Sequence, residues 1–269
     1  MEKPIVGKPK PYIKSLFVSD LHLGFSTPAW AEEFDRFLRS AAFPNIFLVG
    51  DIIDGWKLNG RNRSKWVQAY NNIIRTFLSA ARKGARIRYL IGNHEPSLRP
   101  IDLDNVVLDY ETTTEIHGRK LLVIHGDRFD LFVRPSMLWL AHLSDHGDAF
   151  LFWLQHVLSN RGLRWSFRQA IRTNVKKRTA MISRYREAIK RYARSKGCEG
   201  AIVGHTHHPE LRVDPDGFLY GNCGDWEEHT AIIETEKGLA LIRYDWQTHI
   251  VLQEVAWAPR EENVGVPVA

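Results

Sequence analysis

The sequence predicts an α/β fold, because short apolar runs of strand length alternate with longer segments of helical periodicity. Polar clusters rich in Asp and His follow the ends of these runs, which is where an open sheet presents ligands to a crevice. A chain of 269 residues is long enough for one large domain with a sizeable core. We therefore expect a single domain over residues 1–269.

The predicted strands are short runs of aliphatic and aromatic residues, and together they indicate a largely buried sheet. They lie at residues 16–18, 46–49, 87–91, 106–108, 121–124 and 201–203. Two helices are predicted between the first three strands. One covers residues 29–41, and the other covers residues 64–83, with Ser64 as its cap and Gly84 as its stop.

A helical insertion is predicted at about residues 134–196, where no strand pattern is found. Its first half is rich in Trp, Phe and Leu. Between Arg161 and Lys196 the second half holds 13 Lys or Arg and one acid, Glu187, whereas the whole chain has a net charge of +6. This local basicity favours a face for phosphate or an anionic membrane. The alternative is an ordinary helical hairpin with solvated charges.

The chain after the insertion is predicted to return to the sheet and then to form antiparallel strands. Residues 214–217 have the composition of a turn, and residues 230–234 and 239–244 are rich in residues that favour strands. Residues from Pro259 onward are expected to form a loose tail.

Cysteine content and hydropathy indicate the cellular compartment in which the protein is expected. Cys198 and Cys223 are too few for a disulfide framework and lack the spacing of a zinc site, so we expect core thiols in a reducing compartment. Residues 1–14 hold no apolar stretch of signal-peptide length, and no later segment has the length of a membrane span. We therefore expect a cytoplasmic protein, soluble or peripheral on the inner membrane.

Five short polar motifs carry the functional prediction. They are Asp20-Leu21-His22, Gly50-Asp51-Ile52-Ile53-Asp54, Gly92-Asn93-His94-Glu95, His125-Gly126-Asp127 and Gly204-His205-Thr206-His207. Any one of them would arise by chance in many chains of this size. The five together, placed at the ends of predicted strands, indicate one site.

Seven side chains in these motifs are suitable metal ligands: Asp20, His22, Asp51, Asn93, His125, His205 and His207. We assign one ion to Asp20, His22, Asp51 and His207. The other is assigned to Asp51, Asn93, His125 and His205, so that Asp51 bridges. Oxygen donors with neutral imidazoles suit Mn²⁺, Fe²⁺ or Zn²⁺, and the absence of thiolates argues against a structural zinc.

Two such ions indicate a class of reaction. When held roughly 3.5 to 4 Å apart, they can deprotonate a shared water and clamp a phosphoryl group for in-line attack. The chain has no His-Glu-x-x-His motif to supply a metalloprotease base. The sequence therefore favours metal-dependent phosphoester hydrolysis.

Other polar residues of the motifs are expected to support the ligands. His94 neighbours a ligand and is predicted to stabilise the phosphoryl oxygens or to donate a proton to the leaving oxygen. Asp54, Glu95 and Asp127 are predicted to orient the imidazoles of the ligands. His208 is expected to face away from the site.

The five motifs resemble those of the calcineurin-like metallophosphoesterase superfamily over residues 15 to about 245. That resemblance implies a four-layer arrangement in which two β-sheets form a sandwich flanked by helices. It also implies a dimetal site at the strand ends.

Within that superfamily the chain is similar to the bacterial UDP-2,3-diacylglucosamine hydrolase group. The features that carry this similarity are residues 19–23, 50–56, 125–130, 204–209 and 222–226, together with the insertion. The resemblance implies cleavage of the pyrophosphate of UDP-2,3-diacylglucosamine in lipid A synthesis, releasing UMP and the lipid 1-phosphate. It implies Mn²⁺ as the usual ion.

The substrate residues of that group match this chain less closely than its ligands do. Asn174, Lys176 and Lys177 are the candidates for substrate binding within the insertion. One position departs from the group, because its best-defined members carry Arg after the metal-binding Asn, whereas this chain has His94, as general phosphoesterases do.

Two other functions compete with the lipid substrate. The first is a phosphodiesterase or phosphatase for a soluble nucleotide or nucleic acid, with Trp165, Phe167 and Tyr185 placed for stacking among basic residues. The second is a binding scaffold that has lost catalysis, which the complete ligand set disfavours.

Overall fold

The computed structural model describes residues 11–24, 28–55, 58, 66–130, 175–245 and 248–257. The α-helices within these ranges are α1 (Pro28–Ser40), α2 (Gln68–Arg82) and α3 (Val175–Ser195). The strands are β1 (Ser15–Val18), β2 (Asn45–Val49), β3 (Arg86–Leu90), β4 (Ile101–Leu103), β5 (Val106–Asp109), β6 (Glu111–Ile116), β7 (Arg119–Ile124), β8 (Gly200–Val203), β9 (Glu210–Val213), β10 (Leu219–Asn222), β11 (Thr230–Glu234), β12 (Gly238–Asp245) and β13 (Thr248–Ala256).

The strands form two mixed sheets. The first has the order β13-β12-β11-β1-β2-β3-β5-β4, and the second has the order β6-β7-β8-β10-β9. In the first sheet β1, β2, β3 and β5 are parallel to one another, whereas β11 and β4 flank them as antiparallel strands. In the second sheet β7, β8 and β10 are parallel. Each sheet therefore gathers several carboxyl ends along one edge.

Three apolar layers hold helices and sheets together. Strand β1 contributes to two of them, which is why its sequence is a continuous apolar run. Leu16 and Val18 pack in the outer layer with α1 and α2, whereas Phe17 points into the layer between the sheets. There it stacks on Phe47, with ring centroids 4.5 Å apart. A third layer packs α3 on the second sheet. The predicted α/β sandwich flanked by helices is confirmed.

Several boundaries differ from the prediction. Helix α2 begins at Gln68 after Val67, without a side-chain cap, so the prediction of a Ser64 cap is wrong. Its predicted stop is confirmed, because Gly84 follows the helix at a φ of +94°. Strands β4 and β6 were not predicted, since β4 has only three residues, all exposed, and β6 is rich in Thr at a sheet edge.

Only the last part of the predicted insertion lies in the described residues. Residues 131–174, with its aromatic half and Asn174, lie outside them. Lys176 and Lys177 lie in the first turn of α3, but their side chains are outside the description. The division of the chain into a domain and an insertion therefore stays a prediction.

Cations of α3, and Lys196 directly after it, pair with acidic residues of the second sheet and of the loop after β9. Arg186 pairs with Glu210, Lys190 with Asp214 at 2.8 Å, and Lys196 with Glu111 at 3.0 Å. Arg194 pairs with Asp216, which also contacts Lys190. This part of the basic segment is therefore used to dock the helix, which the sequence did not indicate.

Two further predictions concern the core and the membrane. Cys198 and Cys223 are free and buried, as predicted. Among the described helices none has the length and apolar character that a membrane crossing requires.

We predict that apolar packing, more than the ion pairs, stabilises α3 on the sheet. Ile189 is fully buried, so Ile189→Ala should lower the free energy of unfolding by about 2 to 5 kcal/mol. Lys190→Ala removes ion pairs of partly exposed groups and should cost less than about 1 kcal/mol. Urea unfolding measures both, and equal losses would contradict the prediction.

Candidate active site

The five motifs meet where the carboxyl ends of parallel strands come together. Motifs one to three follow β1, β2 and β3 of the first sheet, and motifs four and five follow β7 and β8 of the second. Backbone hydrogen bonds align the loops. The Asp20 N–H donates to the Gly50 carbonyl at 3.0 Å, and the Gly204 N–H donates to the His125 carbonyl at 3.0 Å.

One group of possible ligands consists of Asp20, His22 and His207, whose ligand atoms lie within 4.8 Å of one another. Asp20 Oδ1 lies 3.2 Å from His207 Nε2 and 3.8 Å from His22 Nε2. This oxygen is buried and accepts no hydrogen bond from any described residue. Because such an atom is costly to bury without a partner, the geometry suits a cation there.

A second group consists of Asp51, His125 and His205, again within 4.8 Å. His125 Nε2 lies 3.3 Å from Asp51 Oδ2 and 3.3 Å from Asn93 Oδ1. Asp51 also belongs to a group with His22 and His94. The structure thus brings the seven candidate ligands together, with Asp51 between the two halves.

The charge states of His22 and Asp51 suit cation binding. Burial lowers the pKa of His22 to about 4, despite the nearby Asp51 and Asp20 carboxylates, so its imidazole is neutral near pH 7. Burial opposes ionisation of Asp51, but His125 holds the pKa of that carboxyl well below its usual value. A neutral imidazole and an ionised carboxylate are the forms that ligate metals.

Backbone strain is concentrated at the site. Eight non-glycine residues of the described chain have positive φ, and five of them are candidate ligands: Asp20, His22, Asp51, His205 and His207. Left-handed backbone is unfavourable for such residues and persists where the surrounding structure enforces it. Strain at these positions is typical of a functional site.

Glycine is required at two motif positions by close approach. A Cβ on Gly50 would lie 2.4 Å from His125 Cγ, and Gly50 also has a φ of +82°. A Cβ on Gly92 would lie 2.3 Å from Asp51 Oδ1. These glycines allow the loops of neighbouring strands to bring their ligands together.

Glu95 anchors backbone and does not orient an imidazole, so its predicted role is wrong. Its buried carboxylate accepts hydrogen bonds from the N–H groups of residues 51–53 at 2.7 to 3.2 Å and of Gly92 at 2.7 Å. The Tyr89 hydroxyl donates to it as well. Burial and the Asp51 charge raise the pKa of Glu95 to about 7. Glu95 thereby ties the loop after β2 to the loop after β3.

Asp54 contacts imidazoles, as expected from the sequence. Its Oδ2 lies 3.2 Å from His94 Nδ1 and 3.8 Å from His22 Nδ1. The side chain of His94 is 25% exposed, whereas those of His22, Asp51 and Asp54, which it faces, are at most 12% exposed. Burial lowers the pKa of His94, but the hydrogen bond to Asp54 and the charge of Asp51 outweigh it and raise that pKa.

Asp127 lies in a 3₁₀ turn (Asp127–Phe129) that follows His125. Burial opposes protonation of His125, yet the charges of Asp51, Asp20 and Asp127 raise the pKa of this histidine well above its ordinary value. His208, expected to face away, is exposed on the loop before β9.

Three polar residues near the ligands were not assigned from the sequence. Asp130 Oδ1 lies 2.9 Å from His205 Nε2, and Asp225 Oδ2 lies 2.8 Å from His207 Nδ1. Buried Asn222 donates to the backbone and to the threonine of the Gly-His-Thr-His motif. All three stand in segments that carry the resemblance, 125–130 and 222–226, which was the available signal.

Comparison with known proteins decides the family. The sequence pattern of the calcineurin-like phosphoesterases matches residues 13–209. The chain belongs to the calcineurin-like phosphoesterase family. This phosphoesterase is thus a metal-dependent hydrolase of phosphoesters, and the resemblance inferred from its motifs is confirmed.

Relatives of this phosphoesterase agree with that membership. It is 23% identical to the UDP-2,3-diacylglucosamine hydrolase of Photorhabdus laumondii over 240 residues, 86% of this chain and 98% of that protein. It is 25% identical to the protein of the same name from Pectobacterium carotovorum, with the same coverage. A dimetal phosphatase from Danio rerio superimposes with a TM-score of 0.50 at 12% identity, over 90% of this chain and 99% of that one, and shares the fold.

We predict that Gly50→Ala displaces His125 and weakens divalent-ion binding at least about tenfold. The matched control is Gly84→Ala, which also has positive φ but meets no atom within 4 Å. It should lose only about 1 to 2 kcal/mol of stability and keep the affinity of the unmodified phosphoesterase. Calorimetric titration with Mn²⁺ measures both, and equal affinities would contradict the prediction.

Proposed function

We propose that this phosphoesterase cleaves the pyrophosphate of UDP-2,3-diacylglucosamine or a closely related nucleotide-linked lipid. The products would be UMP and the lipid 1-phosphate. The observation that carries the proposal is the match to proteins of that name over 86% of the chain. The segments quoted for the resemblance include Asp130 and Asp225, which contact the candidate histidine ligands.

The ligands in this proposal are those of the two groups of side chains described above. Asp20, His22 and His207 would hold one ion, Asn93, His125 and His205 would hold the other, and Asp51 would be shared by both. The donors of each group of three lie within 4.8 Å of one another, Asn93 lies beside His125, and the buried Asp20 Oδ1 accepts no hydrogen bond from a described residue, which together support the assignment. Two divalent ions, which we propose to be Mn²⁺, supply water activation and electrostatic stabilisation of the phosphoryl oxygens.

His94 is the proposed catalytic residue that acts on the substrate directly. Asp54 Oδ2 lies 3.2 Å from His94 Nδ1, on the side of the ring away from Nε2, and Nε2 lies 3.8 Å from Asp51 Oδ2. A donor held there can stabilise the phosphoryl oxygens or deliver a proton to the leaving oxygen. Its partial exposure leaves room for a substrate to approach.

The insertion is the proposed site of substrate recognition, with Asn174, Lys176 and Lys177 as candidate contacts. Acidic residues pair with Arg186, Lys190, Arg194 and Lys196 at the end of the basic segment. We therefore assign phosphate recognition to the basic residues between Arg161 and Arg178. The same segment would support peripheral association with an anionic inner-membrane surface from the cytoplasmic side.

A second candidate function is hydrolysis of a soluble nucleotide or nucleic acid phosphodiester. The observation that favours it is His94, which stands where the best-defined members of the lipid group carry Arg. Binding to nucleic acid through the basic segment would weaken steeply with salt. Binding of a lipid substrate would depend on acyl-chain length instead.

We predict that His94→Ala lowers kcat on a generic phosphodiester by roughly 10² to 10⁴ while both ions stay bound. Asp51→Ala is the comparison, because loss of the bridging carboxylate should remove both turnover and metal. Turnover assays and elemental analysis of the purified variants measure these effects. Loss of metal from His94→Ala would instead show that His94 is a ligand. This outcome has to be tested because His94 lies in one group with His22 and Asp51.

The substrate proposal predicts that the Mn²⁺-loaded protein converts UDP-2,3-diacylglucosamine to UMP and lipid 1-phosphate. Phosphorus NMR and chromatography of the nucleotide detect the products, and Asp51→Ala serves as the inactive control. Cleavage of a generic phosphodiester without any UMP would disprove the lipid substrate and favour the soluble one.

A further inference from the structure

We infer that Asp130 and Asp225 are positioning residues that select opposite ring nitrogens of His205 and His207 for the two ions. The inference rests on the ligand set of the proposed function. It assigns a role to two carboxylates that lie outside the five motifs.

Asp225 determines which nitrogen His207 presents. Its Oδ2 lies 2.8 Å from His207 Nδ1, while His207 Nε2 faces Asp20 Oδ1 at 3.2 Å. An ionised carboxylate only accepts hydrogen bonds, so Nδ1 carries the proton. In a neutral imidazole the lone pair is then on Nε2, the atom directed at the Asp20 group.

The loop after β10 holds Asp225 itself in place. Its side chain is buried, and its Oδ1 accepts a hydrogen bond from the Glu228 N–H at 2.9 Å. Its carbonyl accepts the Thr230 N–H at 3.1 Å. Because both its side chain and its backbone are held by hydrogen bonds, Asp225 can impose one orientation on the ring that it contacts.

Asp130 contacts the other type of ring nitrogen, Nε2, in His205. Its Oδ1 lies 2.9 Å from Nε2 of that ring, so Nε2 is the donor and the lone pair of the neutral ring is on Nδ1. Since His205 belongs to the group with Asp51, we assign Nδ1 to the ion of that group. The 3₁₀ turn places Asp130. Phe129 of this turn is buried in the layer beneath α3, and the Asp130 N–H bonds to the Asp127 carbonyl.

Opposite nitrogens explain how one short motif can serve two ions. His205 and His207 are two residues apart and both have left-handed backbone, with φ of 65° and 53°. One lies in the group with Asp51, and the other lies in the group with Asp20. Because the two carboxylates come from loops after different strands, β7 and β10, each ring is oriented independently.

The experiment combines tautomer detection with ion titration in the full-length protein. Long-range ¹H–¹⁵N NMR of the metal-free protein above pH 8 should show His207 protonated at Nδ1 and His205 at Nε2. With Zn²⁺, a diamagnetic probe, His207 should bind through Nε2 and His205 through Nδ1. Binding of both rings through the same nitrogen would overturn the inference.

Asp225→Asn and Asp130→Asn remove the charges while preserving side-chain shape. Each should weaken one ion about 10- to 100-fold in a Mn²⁺ titration and leave the other within about threefold. Asp216→Asn is the matched control, since Asp216 is a surface partner of Lys190 and Arg194, and it should bind both ions normally. Normal binding of both ions in both Asn variants would disprove the positioning roles.

Failure of the proposed function can be told apart from failure of the inference. If the unmodified protein bound no pair of ions, the ligand assignment would fail, while the metal-free NMR spectrum would still report the tautomers. Equal loss of both ions in each Asn variant, with unchanged tautomers, would indicate general destabilisation and would also overturn the inference.

Discussion

The two sheets must pack with the carboxyl ends of their parallel strands side by side, because each sheet supplies part of the candidate metal centre. Asp20, Asp51 and Asn93 follow strands of the first sheet, and His125 and His205 follow strands of the second. The apolar layer between the sheets, which includes the stacked rings of Phe17 and Phe47, enforces this alignment. The ligands can meet only because that layer is well packed.

Strain at the ligands is balanced by hydrogen bonds that reach across the sheet. Left-handed backbone at non-glycine residues costs about 1 to 3 kcal/mol each. Glu95 offsets part of this cost after β2, since its carboxylate binds the N–H groups of residues 51–53. The Gly50 carbonyl and the Asp51 carbonyl accept N–H groups from the loop after β1. The site is therefore held by backbone contacts before any cation is bound.

Charge along the chain and charge in the folded structure lead to different conclusions. The basic segment indicated a surface for anions, yet acids on β6, on β9 and in the loop after β9 neutralise the end of α3. These pairs join residues more than 20 positions apart, so no local pattern of charge reveals them. The basic residues before α3 and in its first turn remain the candidates for substrate recognition.

The sequence by itself determined the α/β class, most strands and the candidate ligands, because strands leave apolar runs and ligands follow them in short motifs. It missed β4 and β6, which lack an apolar run, and it misjudged Glu95, whose partners are backbone groups. Only the tertiary structure decided that Asp130 and Asp225 contact His205 and His207. Asp130 and His205 are 75 residues apart, and packing of the sheet makes the contact between them, so the segment that contains Asp130 does not reveal its partner.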